Sequence, residues 1–226
     1  MTTTAILVDG AYYKKRIFHF KGHETPSQAA NTLYKYCQKH VKYGDKEESF
    51  LYRVLYYDCP PSSKKIYNPL TKKQIDLAKG SLFQWNTDFL NELKSKRKFA
   101  LRLGILAEEQ AIYNLRPETT KKLLAGKIDL QNITEKDLCL SIKQKGVDMR
   151  IGIDIVSMAI KKQVDKIVLI AGDSDFVPAA KLARREGIDF VLDPMWAPIK
   201  PQLHEHIDGL KSFPLRTSET QETSKP

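Results

Sequence analysis

The chain has 226 residues, of which 42% are hydrophobic and 28% charged, and it carries a formal net charge of +10. That length and balance suit one large globular domain with a full core, and no apolar run is long enough to span a membrane. Three scattered cysteines, Cys37, Cys59 and Cys139, form no CxxC pair, which argues against a disulfide framework and a structural zinc site. The start, Met1-Thr2-Thr3-Thr4, carries no charged leader and no signal-peptide core, so a reducing, cytoplasmic setting is expected.

Residues 5–9 are apolar throughout, as buried parallel strands are, and Gly10 follows where the backbone turns. A basic helix is expected from Tyr12 to Phe20, and a second from Pro26 to His40, where Ala29, Leu33, Tyr36 and Cys37 fall at helical spacing. Residues 49–58 (SFLYRVLYYD) are aromatic and β-branched and read as a strand that Pro60-Pro61 stops. Residues 61–81 read as an exposed, lysine-rich loop or insertion. Leu82 to Lys98 has the spacing of a helix, and Phe99 to Ala107 reads as a strand. Residues 108–137 read as an insertion with some helix, and 138–142 as a strand paired with 99–107.

In 147–160 the apolar positions fit both an alternating strand and one helical face. Helix is favoured because 166–171 is a strand, and parallel strands need a crossover between them. On a helix, Asp154 faces away from Asp148. A helix follows from Ser174, the expected N-cap, to Arg185, with Gly187 ending it. Then come a strand at 188–192, a loop, and a final helix from Pro201 to Leu210. The tail from 214 to 226 is polar and reads as disordered. This alternation of strands and helices predicts a mostly parallel α/β sandwich with Asp9 and Asp173 at neighbouring strand ends.

Acidic residues define the candidate site. Asp9 and Asp173 each end an apolar run, and ligands bind at the C-terminal ends of strands in open α/β sheets. Asp148 and Asp175 lie in the short contexts Lys145-Gly146-Val147-Asp148 and Ala171-Gly172-Asp173-Ser174-Asp175-Phe176. Carboxylates converging at one place need a compensating cation, and their oxygens suit Mg²⁺ or Mn²⁺. Taken singly, each has a plainer reading: an Asx turn at Asp9, helix caps at Asp173 and Asp175, a favourable first-turn charge at Asp148. His204 and His206 point apart on a helix and form no zinc pair. The excess of lysine and arginine between Pro61 and Arg102 points to a polyanion, most simply nucleic acid, with a solvated lysine surface as the alternative. Lys145, together with Tyr12, Lys14, Lys15 and Arg16 on the first helix, are the candidate nucleic-acid contacts. Trp85, Tyr13 and Tyr57 could also stack bases or fill the core.

The segment KGVDMRIGIDIVSMAIKKQVDKIVLIAGDSDFVPAAKLARREGIDFVLDP closely resembles the hallmark of NYN domains, the LabA-like (DUF88) branch of PIN-like ribonucleases. The opening AILVDGAYY resembles that family's first strand, and LHEHIDGLKSF its last helix. The resemblance spans residues 4–213, loosely from 60 to 137. It implies a PIN-like three-layer sandwich over residues 1–213, with insertions around 61–81 and 108–137. It also implies Mg²⁺- or Mn²⁺-dependent cleavage of RNA at Asp9, Asp148, Asp173 and Asp175, with Asp154 behind them at a commonly acidic position. Many relatives carry Asn three residues after the first Asp; here that residue is Tyr12. Three readings compete: an endoribonuclease favouring single-stranded RNA, a non-catalytic RNA-binding regulator, and a DNA nuclease or phosphatase using the same acids. A homo-oligomer is compatible with each.

Overall fold

Apolar runs at the start, at residue 49 and at residue 166 build the centre of the molecule. The computed structural model describes residues 1–43, 46–47 and 49–214. The central sheet comprises β1 (Thr2–Asp9), β2 (Ser49–Asp58), β3 (Phe99–Leu103), β4 (Lys166–Ile170), β5 (Asp189–Asp193) and β6 (Gly209–Leu210). Its order is β6-β5-β4-β1-β2-β3, and every neighbouring pair is parallel. Thr4 to Val8 pair in register with Lys166 to Ile170, and β1 carries a bulge against β2 between Thr4 and Ala5.

Helices cover both faces. Successive side chains of a strand point to opposite sides, so β1 feeds two cores. Ile6 and Val8 pack with α1 (Gly10–Lys21), α2 (Pro26–Gln38) and α3 (Ser81–Ser95). Ala5 and Leu7 pack on the other face with α5 (Val147–Ile160) and α6 (Val177–Arg185), while the short α4 (Pro117–Leu124) lies in the region between β3 and α5. Ile6, Leu7 and Val8 are fully buried, each contributing about 1.5–3 kcal/mol. This three-layer α/β/α sandwich is PIN-like.

Several elements differ from the sequence reading. Residues 61–81 hold a β-hairpin, Lys65–Asn68 against Lys73–Asp76, and a short 3-10 turn rather than a loop. The strand from Phe99 stops at Leu103, where the Gly104 amide bonds to the Asp58 carbonyl. Leu138–Ser141 pairs antiparallel with Ile112–Leu115, not with 99–107; only the two-residue strand Gln144–Lys145 pairs with Ile105–Leu106. The last helix is one turn, Pro201–His204 (α7), and the chain then enters the sheet as β6. Asp173, not Ser174, caps the turn before α6. Of the tail from 214 to 226, only Pro214 is among the described residues.

Topology fixes where a ligand can sit. β1 leads into α1 on one face, and its neighbour β4 leads into α6 on the other. The connections therefore diverge at the C-terminal ends of β1 and β4, leaving a crevice at the switch point.

Candidate active site

Aspartates cluster at that edge of the sheet. β1, β2 and β5 each end in one, at Asp9, Asp58 and Asp193, and Asp173 lies three residues beyond β4. Their partners separate them into two groups.

Asp58 and Asp193 are satisfied within the fold. Asp58, 2% exposed, takes an ion pair from Lys14 at 2.7 Å. It also accepts hydrogen bonds from the Tyr56 hydroxyl at 3.0 Å, its neighbour Cys59's amide at 2.8 Å and the Gln144 side chain at 3.1 Å. Asp193 is fully buried beside His40 Nε2 at 2.9 Å. It accepts from the Tyr36 hydroxyl at 2.6 Å, the Ser212 hydroxyl at 2.6 Å and the Met195 amide at 2.8 Å.

The other group carries uncompensated charge. Asp9 Oδ1 accepts the Tyr12 amide at 3.1 Å and so caps α1. Burial pushes the Asp9 carboxyl up to about 6, and the charges of Asp148 and Asp58 push the same way. Asp148 stands in the first turn of α5 after Gly146, whose φ is +76°. Its carboxyl is raised by burial and by the charges of Asp173 and Asp175. Asp173 Oδ1 accepts the Asp175 amide at 3.1 Å, a cap as the plainer sequence reading held. Among the described residues none of these four is in an ion pair, whereas Asp58 and Asp154 are. Among the described residues, too, no three His, Cys, Asp or Glu side chains gather closely enough to enclose a metal ion. Carboxylate oxygens are the donors that a hard cation such as Mg²⁺ takes, usually one or two of them with water completing its shell.

Asp154 lies elsewhere on α5. It accepts from the Tyr57 hydroxyl at 2.8 Å and pairs with Arg102 at 3.1 Å, which neutralises it. Tyr12 lies over the crevice: its hydroxyl donates to the Pro194 carbonyl at 2.6 Å. A Cβ on Gly172 would come within 2.5 Å of the Tyr12 ring, so only glycine admits that ring there. Gly10 is equally constrained, since a Cβ would sit 2.6 Å from the Tyr57 carbonyl.

The candidate nucleic-acid contacts fare unequally. Lys14 is bound to Asp58, Lys145 to Glu109 at 3.3 Å, and Arg16 to the Met195 carbonyl at 2.6 Å. Lys15 is exposed. Tyr13 and Tyr57 are fully buried in the core, while Trp85 is half-buried. Two features of this edge escaped the sequence reading. Asp58 ended the strand already expected at 49–58, so its position beside Asp9 was a usable signal. Lys200, whose Nζ donates to the Ser174 hydroxyl at 3.2 Å, sits in a proline loop with no pattern to flag it.

The fold, a six-stranded parallel sheet flanked by helices, is of the PIN-like class. A model of the NYN domain matches residues 85–198, half of the chain, and the chain belongs to that family. No curated protein matches it. NYN domains are usually nucleases, and PIN-like nucleases typically use divalent metal ions. Nucleic acid is thus the class of partner the family indicates. Among the described residues no helix is long and apolar enough to cross a membrane.

Proposed function

We propose that this protein is a Mg²⁺- or Mn²⁺-dependent endoribonuclease of the LabA-like branch, with residues 1–213 as its domain and single-stranded RNA as its favoured substrate. One observation carries the reading. At a sheet edge rich in aspartate, Asp58 and Asp193 have their own partners, whereas Asp9, Asp148, Asp173 and Asp175 leave their charge for something else to neutralise.

In this reading Asp9 and Asp173 hold the principal cation, Asp148 ligates it or orients a water, and Asp175 completes the set directly or through water. The bound ion would supply charge neutralisation and an acidified water. The remaining steps belong to the chain. Asp9 must give up its proton to serve as a ligand, and with no cation bound burial raises its carboxyl to about 6. Tyr12 closes one side of the crevice, holding its hydroxyl on Pro194. Lys200, tethered to Ser174, offers a cation at the rim for phosphate. Cys37, Cys59 and Cys139 are free thiols, in keeping with a cytoplasmic setting.

A second reading, a non-catalytic RNA-binding regulator, is favoured by Tyr12. It occupies the position where many relatives carry Asn, and its hydroxyl is already engaged. The test is cleavage of labelled single-stranded RNA in Mn²⁺, Mg²⁺ or EDTA, comparing wild type with Asp173→Asn. Metal-dependent cleavage that falls to background in the variant is the expected result. Intact RNA with binding retained selects the regulator. Turnover confined to DNA or a phosphomonoester selects the third reading.

A further inference from the structure

A groove of about 590 Å³ opens between α1, the start of α2 and the start of α3. That volume lies in the range of sites that enclose a small molecule or one group of a larger one. Phe18 of α1, 52% exposed, and Leu82 of α3, 73% exposed, line it together with half-buried Trp85.

Both aromatic walls have aromatic partners within the fold. Phe18 packs edge-on against His23, with ring centroids 4.6 Å apart. Trp85 stacks on Phe89 at 5.1 Å, and its indole N–H donates to the Glu24 carbonyl at 2.9 Å. With that N–H committed, Trp85 presents the groove with aromatic surface rather than a hydrogen-bond donor. Glu24 is the one acid among the lining residues, and its carboxylate is taken by the Thr32 hydroxyl at 2.9 Å and by Lys21 at 3.7 Å. Lys14 and Lys15 line the groove as well. An apolar, aromatic floor beside an exposed lysine suits a base on a phosphate chain: the aromatic surface takes the base, and Lys15, in no ion pair among the described residues, attracts its backbone.

The groove and the acidic edge share one side chain, Lys14. Lys14 spans the two, with its amine 2.7 Å from Asp58 and 3.1 Å from the Asn86 side chain. Asn86 lines the groove, and the charge of Asp58 is felt at Asp9. Helix α1 begins at Gly10, beside the crevice, and Phe18 lies eight residues on, about 12 Å along the axis. Lys14, Lys15 and Phe18 fall on adjoining rows of that helix, so a strand lying along it meets all three.

We propose that this groove is a nucleobase subsite. It takes one unpaired base of a single-stranded RNA whose phosphate lies at the aspartates, with the linking backbone passing over Lys15. The inference rests on RNA as the substrate of that site, and it adds what makes a single strand the preferred form. A base must leave its stack to enter the groove, which a strand allows and a duplex resists.

The experiment is fluorescence anisotropy with a labelled single-stranded RNA, using the full chain carrying Asp173→Asn in EDTA so that the strand stays intact. Phe18→Ala and, separately, Leu82→Ala are added to that background; both side chains are exposed, so the fold is retained. The Kd is expected to rise roughly 5- to 150-fold with Phe18→Ala, the scale of losing one base–aromatic stack. The rise is expected to be smaller with Leu82→Ala, and absent when the RNA is abasic at the position that reaches the groove. Unchanged affinity in both variants overturns the subsite. So does an equal loss on intact and abasic strands, and so does failure of the unsubstituted chain to bind RNA. The two proposals fail separately. Binding that depends on Phe18 without cleavage in Mn²⁺ keeps the subsite and removes the nuclease. Cleavage that is indifferent to Phe18 in rate and affinity does the reverse.

Discussion

Replacing Asp9 with Asn separates the structural and chemical roles of this residue. The substitution keeps an oxygen that can accept the Tyr12 amide, so the cap on α1 survives, but it removes the charge. Burial, aided by the charges of Asp148 and Asp58, raises the Asp9 carboxyl from 3.8 to about 6. A raised carboxyl means that folding disfavours the ionised form. Below pH 3.8 both folded and unfolded chains hold the proton, and Asp9 costs nothing. Between pH 3.8 and about 6 the unfolded chain releases it first, and stability falls. Above about pH 6 the cost is complete, at about 3 kcal/mol from about 1.4 kcal/mol per pH unit. Asp9→Asn is therefore expected to stabilise the metal-free protein by about 1–3 kcal/mol at pH 7, raising Tm by roughly 2–4 °C per kcal/mol, and by no more than about 0.5 kcal/mol at pH 4. Urea unfolding in EDTA at pH 4, 5, 6 and 7 measures the gap. Mn²⁺ at 100 times its Kd should then stabilise wild type by about 2.7 kcal/mol and the variant by little. A variant that is no more stable at pH 7, or a gap that does not change with pH, would refute the reasoning.

Other perturbations probe the same edge of the sheet. Asp193→Ala strips a fully buried acceptor from Tyr36, His40, Ser212 and the Met195 amide, and should cost about 3–5 kcal/mol by urea denaturation. If it costs less than about 1 kcal/mol, the network is not holding α2 to β5. Gly172→Ala drives a methyl into the Tyr12 ring and should cost about 1–3 kcal/mol. Tyr12→Asn in the same chain should recover most of that loss, and a double-mutant cycle showing simple additivity would contradict the contact. Tyr57→Phe removes a hydroxyl bond to Asp154 and should cost about 1 kcal/mol in unfolding free energy without altering RNA binding.

Long apolar stretches made the centre of the fold legible. Residues 5–9, 49–58 and 166–171 read as strands, and the crossover rule then favours a helix for 147–160 although its residues also alternate. Short elements were not legible. In the hairpin Lys65–Asn68 with Lys73–Asp76, the second strand presents no buried residue, so composition alone reads as loop. Leu138–Ser141 had two apolar candidates within reach, and the nearer one, Ile112–Leu115, took it. Two residues, Gly209 and Leu210, carry no periodicity, so nothing in them marks β6 as a strand. The four site aspartates stood out because each follows an apolar run or sits in a dense motif. What sequence did not supply was the partner of each acid. Asp58 and Asp193 end strands just as Asp9 does, and only the three-dimensional neighbours Lys14 and His40 set them apart.

The place of β1 in the sheet has a consequence for biogenesis. It is made first, yet one of its edges is closed by β4, with Thr4 paired to Lys166. At about 5–20 residues per second, translation of the intervening stretch takes roughly 10–30 s. Throughout that interval the apolar edge of Ile6, Leu7 and Val8 has no partner on one side, a state that invites pairing between nascent chains. The same geometry governs truncation. A fragment cut to the residues that match the family model, 85–198, would lack β1 and β2, expose the flank of β4, and split the sheet at its middle rather than trim its margin.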